Sequence, residues 1–447
     1  MTNLVRPILA HWRRRAKVRA KIPREGSIMS ASIRVAILCA SLAAGVAIAA
    51  PAVAAAPVCR ADDGYAAAFD GRRTFRWTPQ GLAAAKAEAK GGAAYQALIA
   101  RADRALAGPV YSVVDKSRTP PSGDKHDYIS MGPYWWPDPA QPNGEPYIRK
   151  DGEVNPERNT NAFDAGRMDA MAGAVEALSL AYYFTGKDAY ATKAAQLLRT
   201  WFLDPATRMN PSMTYAQGVP GRTPGRAEGV LDTYRLLRVV ESIGVLAPSK
   251  TLTAAEQKGL EVWFGDYAAW MQTAPTGQQE RAARNNHGLW YDYQLAAFAL
   301  FARQPDLARS VLAGVGKARI DPQIEADGKL PEELARTKAL HYSYFALEPL
   351  VGMAELGPCV GVDLWNYKGP KGQGIRAAFD HLAPFVGNEA AFPYKDLKPE
   401  DATKEALPLY DLAARAYGDA GFAAKADLIA KSTPAAQSRL IIAPYRK

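Results

Sequence analysis

From residue 162 to residue 430 the chain runs through one amphipathic helical pattern after another, and no stretch of it shows the steady period-two alternation of a sheet. Few folds accept such a succession. The spacing predicts helices over 162–184, 188–202, 227–243, 254–271, 288–302, 306–318, 343–356, 373–385, 407–417 and 420–430. Thr253 followed three residues later by Glu256 makes a capping box, which marks one of those starts. Upstream, Thr78-Pro79 offers a cap and a proline at the first helical position, and the alanine-rich run 81–106 predicts a helix or helix pair. Between these parts lies 108–161, a long run full of Pro, Gly, Asp and Asn, and connections of that length in a compact protein usually carry function. Ten or so helices joined by polar and aromatic loops pack naturally as hairpins around a centre. The expected fold is therefore all-α, an α/α toroid with long aromatic-rich loops over a central cleft. An α-solenoid is the competing arrangement, but no fixed repeat calls for it.

With 447 residues and 48% hydrophobic content the chain can bury a large core. Its net charge of +10 is misleading, because the first 56 residues carry nine Lys or Arg against a single Glu. Within them, 33–56 is an apolar run ending in small residues, which reads as a secretory signal cleaved near Ala54 to Ala56, with Met29 as an alternative start. That small-residue end suits cleavage better than a transmembrane anchor, so no stable membrane association is expected after processing. Residues 57–447 then form one exported domain, periplasmic or secreted. The mature part is nearly neutral, which argues against a nucleic-acid partner. Cys39 goes with the leader, leaving Cys59 and Cys359 to form one disulfide or to stay as two thiols. No Cys/His spacing resembles a zinc site, and neither metal nor cofactor is expected.

Three clusters carry candidate chemistry. The first is Arg284-Asn285-Asn286-His287-Gly288-Leu289-Trp290-Tyr291-Asp292-Tyr293, where side-chain amides and an imidazole can hold a carboxylate and move a proton near neutral pH, while the rings can line a sugar cleft. Asn286 is also a candidate helix N-cap. The second runs from Leu330 to Tyr344. An extended segment before a helix starting near Ser343 would set Arg336 and Tyr342 on one side, where a guanidinium favours ionisation of a phenol. The third is Tyr134-Trp135-Trp136, whose rings either staple the loop down or stack on sugars. Asn159, Asn161, Arg167, Arg222, Arg226 and Glu228 stand in or beside other loops as weaker candidates for contacts to an acidic substrate, and His126, His341 and His381 are the remaining imidazoles outside the leader.

Together, Lys125-His126-Asp127-Tyr128-Ile129-Ser130 leading into Tyr134-Trp135-Trp136-Pro137-Asp138-Pro139, then Asn285-Asn286-His287-Gly288, then the block from Glu333 to Ser343, resemble the alginate lyase family of polysaccharide lyases, most closely the branch called family 38. The likeness spans about residues 110 to 385. It implies an incomplete α/α toroid that cleaves a uronate polysaccharide by metal-independent β-elimination, with Asn286 and His287 as the family's asparagine and histidine and Arg336 and Tyr342 as its arginine and catalytic tyrosine. Tyr134, Trp135, Trp136, Asn159, Asn161, Arg222, Asn285, Tyr291 and His341 are the expected substrate contacts. The arginine-to-tyrosine spacing is one residue shorter than in better-known alginate lyases, so alginate, polymannuronate and glucuronan all stay open as the polymer; oligomeric state is not legible. Removing the C5 proton of a uronate places charge on an existing carboxylate, so the site needs hydrogen bonds where that charge develops. Tyr342 can take that proton, protonate the departing O4, or do both in a syn elimination, while His287 is the base for the opposite stereochemistry. Two other readings are an α/α-toroid glycoside hydrolase, for which Asp127, Asp138, Glu332 and Glu333 supply carboxyl groups, and a non-catalytic glycan-binding protein.

Overall fold

The computed structural model describes residues 57–89 and 91–445; the leader and cleavage site expected within 1–56 lie outside them. The first helices are α1 (Pro79–Glu88), capped by the Thr78 hydroxyl accepting from the Gly81 N–H, and α2 (Ala93–Ala107). The Pro/Gly-rich run follows and holds three short strands, β1 (Ile129–Met131), β2 (Trp135–Trp136) and β3 (Ile148–Arg149). Next come α3 (Ala165–Thr185), α4 (Asp188–Leu198), β4 (Tyr215–Gly218), α5 (Leu237–Val245), α6 (Ala254–Thr273), α7 (Pro275–Arg281), α8 (Asn286–Phe301) and α9 (Pro305–Val315). The chain closes with α10 (Asp321–Gln323), α11 (Pro331–Leu334), α12 (Ala339–Val360), α13 (Ile375–Leu382), α14 (Pro399–Glu405), α15 (Leu407–Tyr417) and α16 (Ala420–Ser432). Sequential helices pack as hairpins, α3 on α4, α8 on α9 and α15 on α16, while α8 also packs on α6, α5 and α12, which gives an incomplete (α/α) toroid. No helix among the described residues is long and apolar enough to cross a membrane.

Helix α8 is the inner wall. Every residue from Asn286 to Phe301 is buried except His287, so its sequence is apolar on all sides rather than striped. Cys59 and Cys359 are bonded across 300 residues, tying the N-terminal segment to the end of α12, a closure worth about 6 kcal/mol in a chain-entropy model. The 108–161 run is not free loop. Strands β1 and β4 pair in parallel, β2 and β3 pair antiparallel, and Asp164, buried beside Lys116 at 3.0 Å, accepts the Ile129 N–H.

Three expectations need correcting. The helix expected over 227–243 is split: Ala227–Leu236 winds as a tighter 3₁₀ segment before α5 begins. Gly229 lies against β4 there, where an added Cβ would stand 2.6 Å from the Ala216 carbonyl oxygen. The helix expected from Ser343 starts instead at Ala339, because Asp396 Oδ2 accepts the Leu340 and His341 N–H groups at 2.9 and 3.1 Å and caps α12 from a distant segment. Finally, α7, α11 and α14 fall in stretches where the periodicity predicted no helix.

Candidate active site

A cleft of about 630 Å³ opens where the loop after β1, the segment after β4, the α7–α8 turn and the start of α12 meet. Asn286, His287, Arg336 and Tyr342 all line it, as do Tyr134, Trp135, Asn285 and His341. Each is held by an identifiable neighbour.

Asn285 caps α8, its Oδ1 accepting the His287 N–H at 3.1 Å, so the cap lies one residue before the Asn286 expected to serve. Asn286 is freed to point inward. Its backbone N–H and its Nδ2 donate to the two carboxylate oxygens of Glu333 at 2.6 and 2.7 Å, while Oδ1 is buried without a partner among the described residues. Burial pushes the Glu333 carboxyl up, against the stabilising bonds from Asn286. His287 Nδ1 lies 2.6 Å from Glu280 Oε1 on α7. Burial alone would lower the imidazole, but the Glu280 carboxylate outweighs it, and His287 holds its proton above the ordinary histidine range. The α7–α8 turn is fixed by Arg319, which donates to the Ala283 and Arg281 carbonyls at 2.8 and 2.7 Å and pairs with Asp292 at 2.6 Å. Gly288 makes room for it, since a Cβ there would lie 2.4 Å from the guanidinium.

On the facing side, Tyr342 sits in the first turn of α12 and Arg336 in the turn before it. The guanidinium lies 3.7 Å from the centre of the Tyr342 ring, so the two meet by stacking across a turn and not along an extended strand. Asp151 from the loop after β3 grips Arg336 at 2.8 Å and accepts from Thr337 at 3.0 Å; although burial works the other way, these bonds pull its carboxyl down to about 2. The Tyr342 hydroxyl is 2.6 Å from that of Tyr134. Burial and Tyr134 push the Tyr342 phenol up and Arg336 pulls it down; the former prevail, so the resting group is a protonated phenol. Around these four, Arg226 bonds Gln217 and Glu228 at 2.7 Å each, and His341 stacks on Phe345 with Nδ1 2.9 Å from Glu405. Among the described residues, no group of three or more His, Cys, Asp or Glu side chains is arranged to hold a metal ion.

Five expected contacts are not in the cleft. Tyr291 is fully buried, its hydroxyl donating to the Met271 carbonyl at 2.9 Å, because α8 has no solvent face where that ring lies. Trp136 staples the loop, bonding the Glu153 carbonyl at 2.9 Å under the Lys150 ammonium. Asn161 binds Ser117 at 3.2 Å, Asn159 ends a short 3₁₀ turn, and Arg222 lies in a neighbouring groove. Conversely, no sequence motif singles out Glu280 or Asp151, and Glu333 stands out only as the first residue of the block that resembles the family and as a hydrolase carboxyl. Glu280 precedes His287 by seven residues, a spacing that a helix–turn–helix reading of 275–287 would have brought together.

A family model described as alginate lyase matches residues 112–392. Among solved structures, an alginate lyase from Bacteroides ovatus is 38% identical, with 84% of this chain and 100% of that one covered and a TM-score of 0.80. A histidine-to-alanine variant of alginate lyase A1-III from Sphingomonas species A1, complexed with tetrasaccharide, is 17% identical over 80% of this chain and 96% of its own, with a TM-score of 0.50, a likeness of fold. A polysaccharide lyase of Stenotrophomonas maltophilia (strain K279a) is 42% identical over 81 residues, 18% of this chain, and the match spans about a quarter of that relative's length, 24%. By the extent of the family match and the full coverage of the Bacteroides ovatus structure, this chain belongs to the alginate lyase family.

Proposed function

We propose that the protein is an exported polysaccharide lyase that cleaves a 1,4-linked polyuronate, alginate, polymannuronate or glucuronan, by β-elimination. One observation carries the reading: an amide and an imidazole bonded to a buried carboxylate face a stacked arginine–tyrosine pair across a single cleft. In this scheme Asn286 and imidazolium His287 hold the uronate carboxylate and stabilise the charge that builds on it as the C5 proton leaves. Tyr342 works at C5 and O4. The resting phenol first gives up its proton to solvent; the phenolate then takes the C5 proton, and the resulting phenol protonates O4 as the C4–O4 bond breaks, which regenerates the phenolate and leaves a C4–C5 double bond. Arg336 beneath the ring favours the anionic stage of that cycle, and no step draws on a metal ion. The two buried carboxylates Glu280 and Glu333 are engaged with His287 and Asn286, not left facing each other across the cleft as hydrolysis would require. Export is supported by the leader pattern and by the Cys59–Cys359 bond, which suits an oxidising compartment.

The test is to incubate the mature protein with each polymer. Appearance of the ultraviolet absorbance of an unsaturated uronate is the expected result; new reducing ends without it would mean a hydrolase, and neither product would mean a binding protein. The role of His287 has its own signature. Since Glu280 raises its pKa, Glu280→Gln is expected to move the alkaline fall of kcat/KM to lower pH, because the imidazolium is lost sooner. If the acid-side rise moves instead, neutral His287 is the base and the elimination is anti.

A further inference from the structure

A second concavity, about 350 Å³, lies beside the catalytic cleft and is lined by Arg118, Phe163, Tyr215, Val219 and Arg222, among others. The two cavities share a wall. Gly218 lines the groove and its neighbour Gln217 the cleft; Met131 lines the groove, and Pro133 to Trp135 line the cleft. That wall has its own small hydrophobic core of Ile129, Met131, Tyr147, Phe163 and Val219, against which Trp135 and Tyr215 pack. The arginines distinguish the two cavities. In the cleft, Arg149, Arg158, Arg226, Arg235 and Arg336 each lie within 4.0 Å of a carboxylate of the protein. In the groove, Arg118 and Arg222 have no carboxylate partner among the described residues. Each instead lies over an aromatic face, Arg118 at 5.6 Å from Phe163 and Arg222 at 5.3 Å from Trp135, with Arg222 Nε also donating to the Tyr147 carbonyl at 2.7 Å. Glu145 is also part of the lining and pairs with neither.

Guanidinium groups laid on rings, with forks free of internal acids, are matched to a carboxylate presented from outside. The floor of Phe163, Tyr215 and Val219 suits the apolar face of a pyranose. We propose that this groove is a secondary uronate subsite, in which Arg118 and Arg222 bind the carboxylates of a polyuronate chain continuing from the catalytic cleft past Trp135. This rests on the lyase reading above, and it names what that reading leaves open: where a long chain is held beyond the sugars undergoing reaction. Long chains then bind better than short ones because one molecule engages both cavities.

The experiment is isothermal titration calorimetry of saturated oligomannuronates of three and eight residues in a Tyr342→Phe background, which slows cleavage about 10²–10⁴-fold, with the absence of absorbance gain over the titration confirming intact ligand. The octamer is expected to bind more tightly than the trimer, and Arg118→Ala/Arg222→Ala to cut that length advantage at least about fivefold, a loss in the range of charge-assisted contacts. Arg222 also braces Trp135, so Arg118→Ala alone, at an exposed residue, is expected to remove part of the advantage without disturbing the fold. An octamer with no advantage in the parent, or an advantage preserved in the double variant, would overturn the groove assignment and leave the lyase reading intact. Failure of the lyase reading is seen separately, in the absorbance assay with the unsubstituted protein.

Discussion

Tyr342→Phe is expected to lower kcat by about 10²–10⁴-fold, the usual contribution of a positioned acid–base group, while KM changes by less than about threefold. The asymmetry follows from what the substitution keeps. The phenyl ring preserves the face on which Arg336 stacks at 3.7 Å and the edge contacts with His341 and Phe345 at 5.3 and 6.4 Å between ring centres. Only the hydroxyl goes, and with it the one group in the scheme that carries a proton between C5 and O4. Tyr134 loses its 2.6 Å partner but borders the open cleft, where water replaces it. Initial rates of absorbance gain at saturating polymer measure the loss. A variant retaining more than about a tenth of kcat would remove Tyr342 from the chemistry and leave His287 and Tyr134 as the proton carriers.

The sequence made half of this site legible. Asn286 and His287 stand out because amides and an imidazole next to a hydrophobic helix serve no core, and Arg336 and Tyr342 because the residue types complement each other. Their meeting was expected from an extended segment, whereas the structure brings them together through a helix capped by Asp396 from some fifty-five residues away in sequence. No local pattern reports a cap supplied from such a distance. Tyr291 was misplaced for a different reason. The run from Leu289 to Phe301 has no polar stripe, and a helix apolar all round is buried on every side, so the signal that Tyr291 belongs to the core was present in the sequence but outweighed by the company of His287. Glu280 and Glu333 were hidden by the habit of acidic residues to be solvated. Their meaning depends on partners that only the ring of helices brings near, 47 residues apart in the case of Glu333 and Asn286.

Glu333 therefore provides the sharpest test of the architecture. Glu333 is 2% exposed and its carboxylate accepts both the backbone N–H and the side-chain Nδ2 of Asn286, so it fixes the amide that the proposed mechanism sets against the substrate. In Glu333→Ala both donors lose their acceptor in a buried place, at about 1–3 kcal/mol for each unsatisfied group, and Asn286 is no longer aimed. The expected outcome is a fall in kcat/KM of about 10²–10³-fold, comparable to losing one oxyanion donor, with KM rising as kcat falls and with a lower Tm. Glu333→Gln keeps one acceptor oxygen of nearly the same shape, so it should recover part of both the activity and the stability. That partial rescue is the discriminating result. If Glu333 were instead a general acid of a hydrolase, the amide could not donate its proton, and Gln and Ala would be equally inactive while Gln alone retained the Tm. The measured order of Gln and Ala in kcat thus decides whether the carboxylate acts on the substrate or, as its two bonds to Asn286 argue, through the residue it holds.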